Sequence, residues 1–177
     1  MGAVLSAYRA RLATGAWSQD PAQEAAAARL DALAGDLARW KPNALFGRKA
    51  PPRGLYIHGA VGRGKSMLMD LFFAEAKVSR KRRAHFHEFM QGVHAFLRAE
   101  RAKRSSGENQ ELLAAAAKDI AAGARLLCFD ELQVSDIADA MILGPLVEHL
   151  LARDVVIVAT SNRAPQDLYK NGLNRQL

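Results

Sequence analysis

A single cysteine, Cys128, stands in the 177 residues, which excludes an intramolecular disulfide and suits a reducing compartment. Inside an apolar strand, it reads as a small buried hydrophobe. Long apolar runs are missing too. The best stretch, residues 140–152, is interrupted by Pro145, Glu148 and His149, so nothing approaches the roughly 20 residues of a membrane-spanning helix. No charged start followed by a secretory hydrophobic segment is present either. Aromatics are few, and none falls within Arg80-Lys81-Arg82-Arg83, which weakens a stacking role on single-stranded nucleic acid. Metal-ligand patterns are poor: His85 and His87, expected on one face of a strand, have no third ligand at suitable spacing, and H-E-x-x-H is absent. Both read as packing residues, and His58 as a packing or loop-positioning residue. No internal repeat stands out.

Half of the residues are apolar and 24 % are charged, enough for one compact domain with a core. The net charge is +7. Its excess concentrates in residues 77–83 and 98–104, clusters that can neutralise phosphates of nucleic acid or anionic lipid but that, at this length, read first as solvated loops. Met1-Gly2-Ala3-Val4-Leu5-Ser6 fits the loose myristoylation pattern, a match too cheap to outweigh a plain N-terminus.

Residues 1–50 read as a helical lead-in and connector. Asp20-Pro21 starts a helix with a capping side chain and proline at the first helical position, and Leu30, Leu33, Leu37 and Trp40 recur at helical spacing up to Lys41-Pro42. Residues 51–177 form the second part. Strands are expected at residues 55–58, 84–89, 125–131 and 154–160, the last buried on both faces because it lacks alternation. Helices are expected from Met67, over 90–104, over 108–122 closed by a left-handed Gly123, and over 137–153 with a bend at Gly144-Pro145. Residues 105–107 make a turn. Strands alternating with helices imply a parallel sheet covered on both sides.

The most informative segment is Gly59-Ala60-Val61-Gly62-Arg63-Gly64-Lys65-Ser66, which fits G-x-x-x-x-G-K-[ST]. Glycines let the chain curl so that successive N–H groups face phosphates, Lys65 reaches the β- and γ-phosphates, and the Ser66 hydroxyl can sit on Mg²⁺. The helix opening here, through Met67, adds its positive dipole end. A strand before the loop and an apolar helix after it supply the context the motif requires. The pattern therefore predicts a nucleoside triphosphate site, with ATP and Mg²⁺ as cofactors.

Asp130-Glu131 ends the third strand, 65 positions after Lys65. Beside a phosphate loop, Asp130 can hold the metal and Glu131 can activate the attacking water. Thr160-Ser161-Asn162 ends the fourth strand, which in such sheets lies between the two functional strands, so the Asn162 amide can hydrogen-bond the γ-phosphate or the lytic water.

Taken together these segments resemble the AAA+ ATPases, and the local sequences resemble one family among them, the ZapE-type cell-division ATPases and their mitochondrial relatives. The likeness lies in residues 54–59 and 61–73, in His85-Phe86-His87-Glu88-Phe89-Met90, in residues 126–131, in 136–143 and in Thr160-Ser161-Asn162, with Tyr8, Leu12, Gly15, Asp20 and Gln23 fitting the opening pattern. The resemblance implies an α/β P-loop NTPase of the AAA+ type, a three-layer sandwich with a mainly parallel sheet. It implies ATP hydrolysis driving work on protein partners of the division machinery, a homo-oligomer when full length, and a cytoplasmic site peripheral to the inner membrane. It also implies a fifth strand and a helical lid beyond Leu177, so the chain reads as an N-terminal fragment whose first strand is an edge and whose nucleotide binding and hydrolysis are weakened. Arg175 matches the family's arginine-finger position, with Arg163 as a rival. Two other readings stay open: a catalytically silent nucleotide-binding module, and a nucleic-acid-associated loader supported by the basic excess.

Overall fold

The computed structural model describes residues 2–41, 49–103, 109–134 and 136–168. Its first half runs α1 (Ala3–Ala13), α2 (Pro21–Arg39), β1 (Leu55–His58), α3 (Lys65–Glu75) and β2 (Lys81–His85). Its second half runs α4 (Phe86–Lys103), α5 (Asn109–Gly123), β3 (Leu126–Asp130), α6 (Ile137–Leu151) and β4 (Val156–Ser161), followed by a 3₁₀ turn at Pro165–Asp167.

Every residue of β3 is buried and β4 is nearly so, leaving neither strand a face for water. Such strands must sit centrally with cover on both sides. They do: the sheet order is β1-β4-β3-β2, all parallel, and the less apolar β1 and β2 take the edges of the described sheet. Strand alternation then sorts side chains into two cores. Leu126, Cys128, Val156 and Val158 join Leu68, Met69 and Phe72 of α3 and Tyr8, Leu30 and Leu33 of α1 and α2. Leu127, Phe129 and Val155 join Phe86 and Phe89 of α4, Leu112 of α5 and Leu146 of α6. The result is the expected three-layer α/β sandwich, with α1 and α2 packed into the α3 layer. Burial pushes the Cys128 thiol up to about 12, so it carries no thiolate at neutral pH.

Several boundaries differ from those expected. The second strand is residues 81–85, not 84–89, because Phe86, Phe89, Met90, Val93 and Leu97 are the buried stripe of α4 at helical spacing. His85 and His87 therefore do not share a strand face: His85 ends β2, and His87 lies in α4 with its ring 3.0 Å from Gln91 Nε2 one turn on. Gly123 is the last helical residue of α5 and is not left-handed. β4 begins two residues late because Asp154 adopts φ 62° as the left-handed cap of α6, with Asp154 N donating to Leu151 O and Val155 N to Leu150 O. The helix expected over residues 137–153 is α6, which ends at Leu151 and carries Pro145 within it. The expected turn at residues 105–107 lies outside the described residues.

The Asp20-Pro21 start is present, Asp20 Oδ1 accepting from Ala22 N at 2.9 Å. A second glycine effect is steric. A Cβ on Gly54, at the entry to β1, would lie 1.9 Å from the Ile157 carbonyl oxygen of β4. Gly54→Ala is expected to push β1 off β4 and cost about 2 kcal/mol, a fall in melting temperature of roughly 4–8 °C on thermal unfolding; an unchanged midpoint would contradict this packing.

Candidate nucleotide-binding site

Between β1 and α3 the chain reverses through Gly62 (φ 78°) and Gly64 (φ 73°), a left-handed backbone that side-chain-bearing residues adopt only with strain. Turns of this kind line up successive N–H groups into an anion-binding concavity. Gly64 is constrained twice, since a Cβ there would also meet Gln23 Nε2 at 2.9 Å. The loop is tied to the sheet by Gly59 N donating to Ser161 O at 3.3 Å. Lys65 opens α3 and turns back over the loop, its ammonium donating to Gly59 O and Ala60 O, each at 2.7 Å. Burial lowers the Lys65 pKa below the ordinary amine value, and the Glu131 carboxylate partly offsets that shift. Ser66 and Val61 are exposed, and Ala60 is exposed beside them.

The lead-in helices reach this loop. Asp20 caps α2 with one oxygen and binds Arg63 of the loop with the other at 2.8 Å. Beside the loop lies a cavity of ≈ 310 Å³ whose walls include Gln23, Ala26, Ile57, His58, Lys65 and Leu68. Gln23 Oε1 is buried and has no hydrogen-bond partner among the described residues, and a buried polar atom left so costs about 1–3 kcal/mol.

Asp130 ends β3 at 6 % exposure. Its carboxylate is gripped by Arg83 of β2, Nε donating to Oδ2 at 2.6 Å and Nη2 to Oδ1 at 3.2 Å. The remaining Arg83 nitrogen, Nη1, binds Asp70 of α3. Glu131 turns out of the strand at φ 55° and is exposed, while its N–H donates to Thr160 Oγ1 at 3.2 Å. Leu132 N to Thr160 O at 2.7 Å and Ser161 Oγ to Leu132 O at 2.7 Å lock the exit of β3 to the end of β4. Asn162 follows β4 and is exposed. Arg163 is exposed, with its carbonyl accepting from Tyr56 Oη at 2.9 Å.

The phosphate-loop segment from Gly59 to Met67, Asp130, Glu131 and Asn162 thus stand at the carboxyl ends of β1, β3 and β4. Arg175 lies outside the described residues. Sequence reasoning missed Arg83 and Asp70, whose partners lie far along the chain, and it placed Asp20 and Gln23 only in a helix start and an opening pattern. It also read the basic cluster as a solvated loop. Instead Lys81 caps the carboxyl end of α3 through Ala76 O at 2.9 Å, Arg80 binds Ala122 O at 2.9 Å at the end of α5, and Arg82 lies 6.0 Å over the Phe89 ring. Cations at helix carboxyl ends meet the negative dipole pole there, an intramolecular reason for two of these charges.

A phosphate loop, an acid-ended strand and β4 set between them define a P-loop protein of the AAA+ type, and solved structures of that fold superpose on the chain. DnaA from Aquifex aeolicus with bound AMPPCP matches at a TM-score of 0.58 over 90 % of this chain and 44 % of that one, at 19 % identity. The family is fixed by sequence: the AFG1-like ATPase model matches residues 3–177, and the chain belongs to that family. Cell division protein ZapE of Escherichia coli (strain K12) is 41 % identical over 187 residues, covering 96 % of this chain and 48 % of that protein. Lactation elevated protein 1 homolog B of Danio rerio is 51 % identical over 130 residues, covering 71 % of this chain and 26 % of that protein. The chain therefore spans at most about half the length of these relatives. Among the described residues no helix is long and apolar enough to cross a membrane.

Proposed function

We infer that this chain binds ATP with Mg²⁺ at the loop between β1 and α3 and forms the hydrolytic core of an ATPase acting on protein partners. The observation that carries the reading is the convergence of Lys65 and the acid pair Asp130-Glu131 across β4, with Lys65 close enough to Glu131 for its charge to be felt. Loop amides of residues 59–66 and Lys65 bind phosphate oxygens, with Met67 in the first turn of the helix behind them. Ser66 and Asp130 are the residues that would hold the metal, which when bound neutralises phosphate charge. Glu131 takes a proton from the attacking water, and Asn162 donates to the γ-phosphate or that water. The cavity bounded by Gln23 and Ile57 receives the nucleoside.

Arg175 is assigned to a neighbouring subunit's site, where a cation stabilises charge developing on the transferred phosphoryl group. By likeness to the Escherichia coli cell division protein, the work done is on the division machinery. The binding step is tested by calorimetry: ADP titrated into folded protein is expected to give magnesium-dependent heat at one site per chain. Absence of any such uptake would remove the basis of the reading.

A further inference from the structure

The guanidinium of Arg83 is placed unlike the other cations of its cluster. It sits on edge strand β2, opposite Cys128 in the register, and reaches along the sheet to Asp130 at the mouth of the site. Two of its nitrogens take both oxygens of that carboxylate, and the third takes Asp70, one helical turn beyond Ser66 on the phosphate-loop helix. Planar two-point pairing of this kind fixes orientation as well as charge. The Arg83 side chain is 24 % exposed and that of Asp130 9 %, so solvent screens the pair only partly. Asp70, at 64 %, is open to water.

Resting on the magnesium-nucleotide reading above, we propose that Arg83 is a positioning residue that sets the divalent-cation requirement of this site. It aims the Asp130 carboxylate, ties it to the phosphate-loop helix through Asp70, and supplies a positive charge against which Mg²⁺ must compete. Asp70 shares that positive charge. Removing Arg83 makes the metal-bearing carboxylate more available, whereas neutralising Asp70 leaves the guanidinium to Asp130 alone and subtracts a further negative charge. The two changes act in opposite directions, which a purely structural brace would not produce.

The test is calorimetric titration of ADP into the whole chain over a series of Mg²⁺ concentrations, reading the concentration that gives half of the full tightening. Arg83→Met is expected to lower that half-point at least threefold. Asp70→Asn is expected to raise it by a similar factor, and Arg83→Lys, which keeps the charge, to stay within twofold of the unmodified protein. Folding is checked by circular dichroism; should Arg83→Met not fold, the exposed Asp70 position decides the matter through its upward shift. Equal half-points in all variants, or movement of both in one direction, would overturn the assignment while leaving magnesium-dependent nucleotide binding intact. Loss of magnesium-dependent uptake from the unmodified protein would instead overturn the nucleotide reading together with it.

Discussion

Glu131→Gln is expected to lower the rate of ATP hydrolysis by roughly 10²–10³-fold while leaving ATP affinity within about twofold. The substitution is nearly isosteric and removes only the basic oxygen. Glu131 is exposed at φ 55°, and what anchors it is its backbone N–H on Thr160 Oγ1, which glutamine keeps. Stability should therefore hold, with a melting temperature within about 2 °C of the starting protein, because no buried contact is lost. Phosphate release at saturating ATP, measured beside calorimetric affinity, separates the two quantities. An unchanged rate would remove Glu131 from the water-activating role and leave binding untouched. If Arg175 acts across a subunit boundary, the rate per chain should also climb with protein concentration.

How legible these features were depended on the range of the forces behind them. The phosphate loop could be read directly because its geometry is local: glycines at positions 62 and 64 supply their own left-handed turns, whatever surrounds them. β3 and β4 are nearly as legible, since short apolar, largely β-branched or aromatic runs fit strands covered on both faces, although β4 begins at Val156 and not at Asp154. β2 is not. Its sequence Lys81-Arg82-Arg83-Ala84-His85 is mostly basic, and it is a strand only because it lies at an edge where its charges find helix ends, acids and a ring. The strand expected at residues 84–89 runs into the first turn of α4, whose buried Phe86, Phe89, Met90, Val93 and Leu97 show helical spacing once the window extends past Phe89. Arg83 escaped for a related reason. Its partners Asp70 and Asp130 are 13 and 47 positions away; the parallel register of β2 on β3 brings Asp130 within reach, and Asp70 comes from helix α3.

The helical lead-in and its Asp20 cap are legible in the sequence, but their relation to the loop appears only in three dimensions. Asp20 serves α2 and Arg63 at once, so the helix start and the phosphate loop share one carboxylate. Gln23, one turn on, closes against Gly64 and lines the cavity beside Lys65. The segment that reads as an approach to the core thus supplies part of the wall of the cavity beside the phosphate loop. This matters for any shortened form of the protein: removing α1 and α2 would take away Tyr8, Leu30 and Leu33 from the α3 core as well as the flank of the cavity.

Lys65→Met is expected to weaken ADP and ATP binding about 10²-fold, equivalent to about 2.7 kcal/mol, with little change in fold stability. The two halves of that prediction have separate causes. The ammonium donates to Gly59 O and Ala60 O, and a phosphate would offer it a charged acceptor in place of these neutral carbonyls. That gain vanishes with the charge. The fold, however, gains little from the same group, because burial depresses the Lys65 pKa and so works against the charged form; losing it relieves that cost while two hydrogen bonds to loop carbonyls are given up. The sign follows: a lysine whose folded-state pKa lies below its unfolded value opposes folding at pH values where it is charged, so its removal should leave the melting temperature within about 3 °C at neutral pH. Calorimetry and thermal unfolding on the same sample decide both points. Near-normal affinity in Lys65→Met would mean that the loop amides grip phosphate without the lysine, and a large fall in melting temperature would mean that its bonds to Gly59 and Ala60 hold the loop together rather than wait for a ligand.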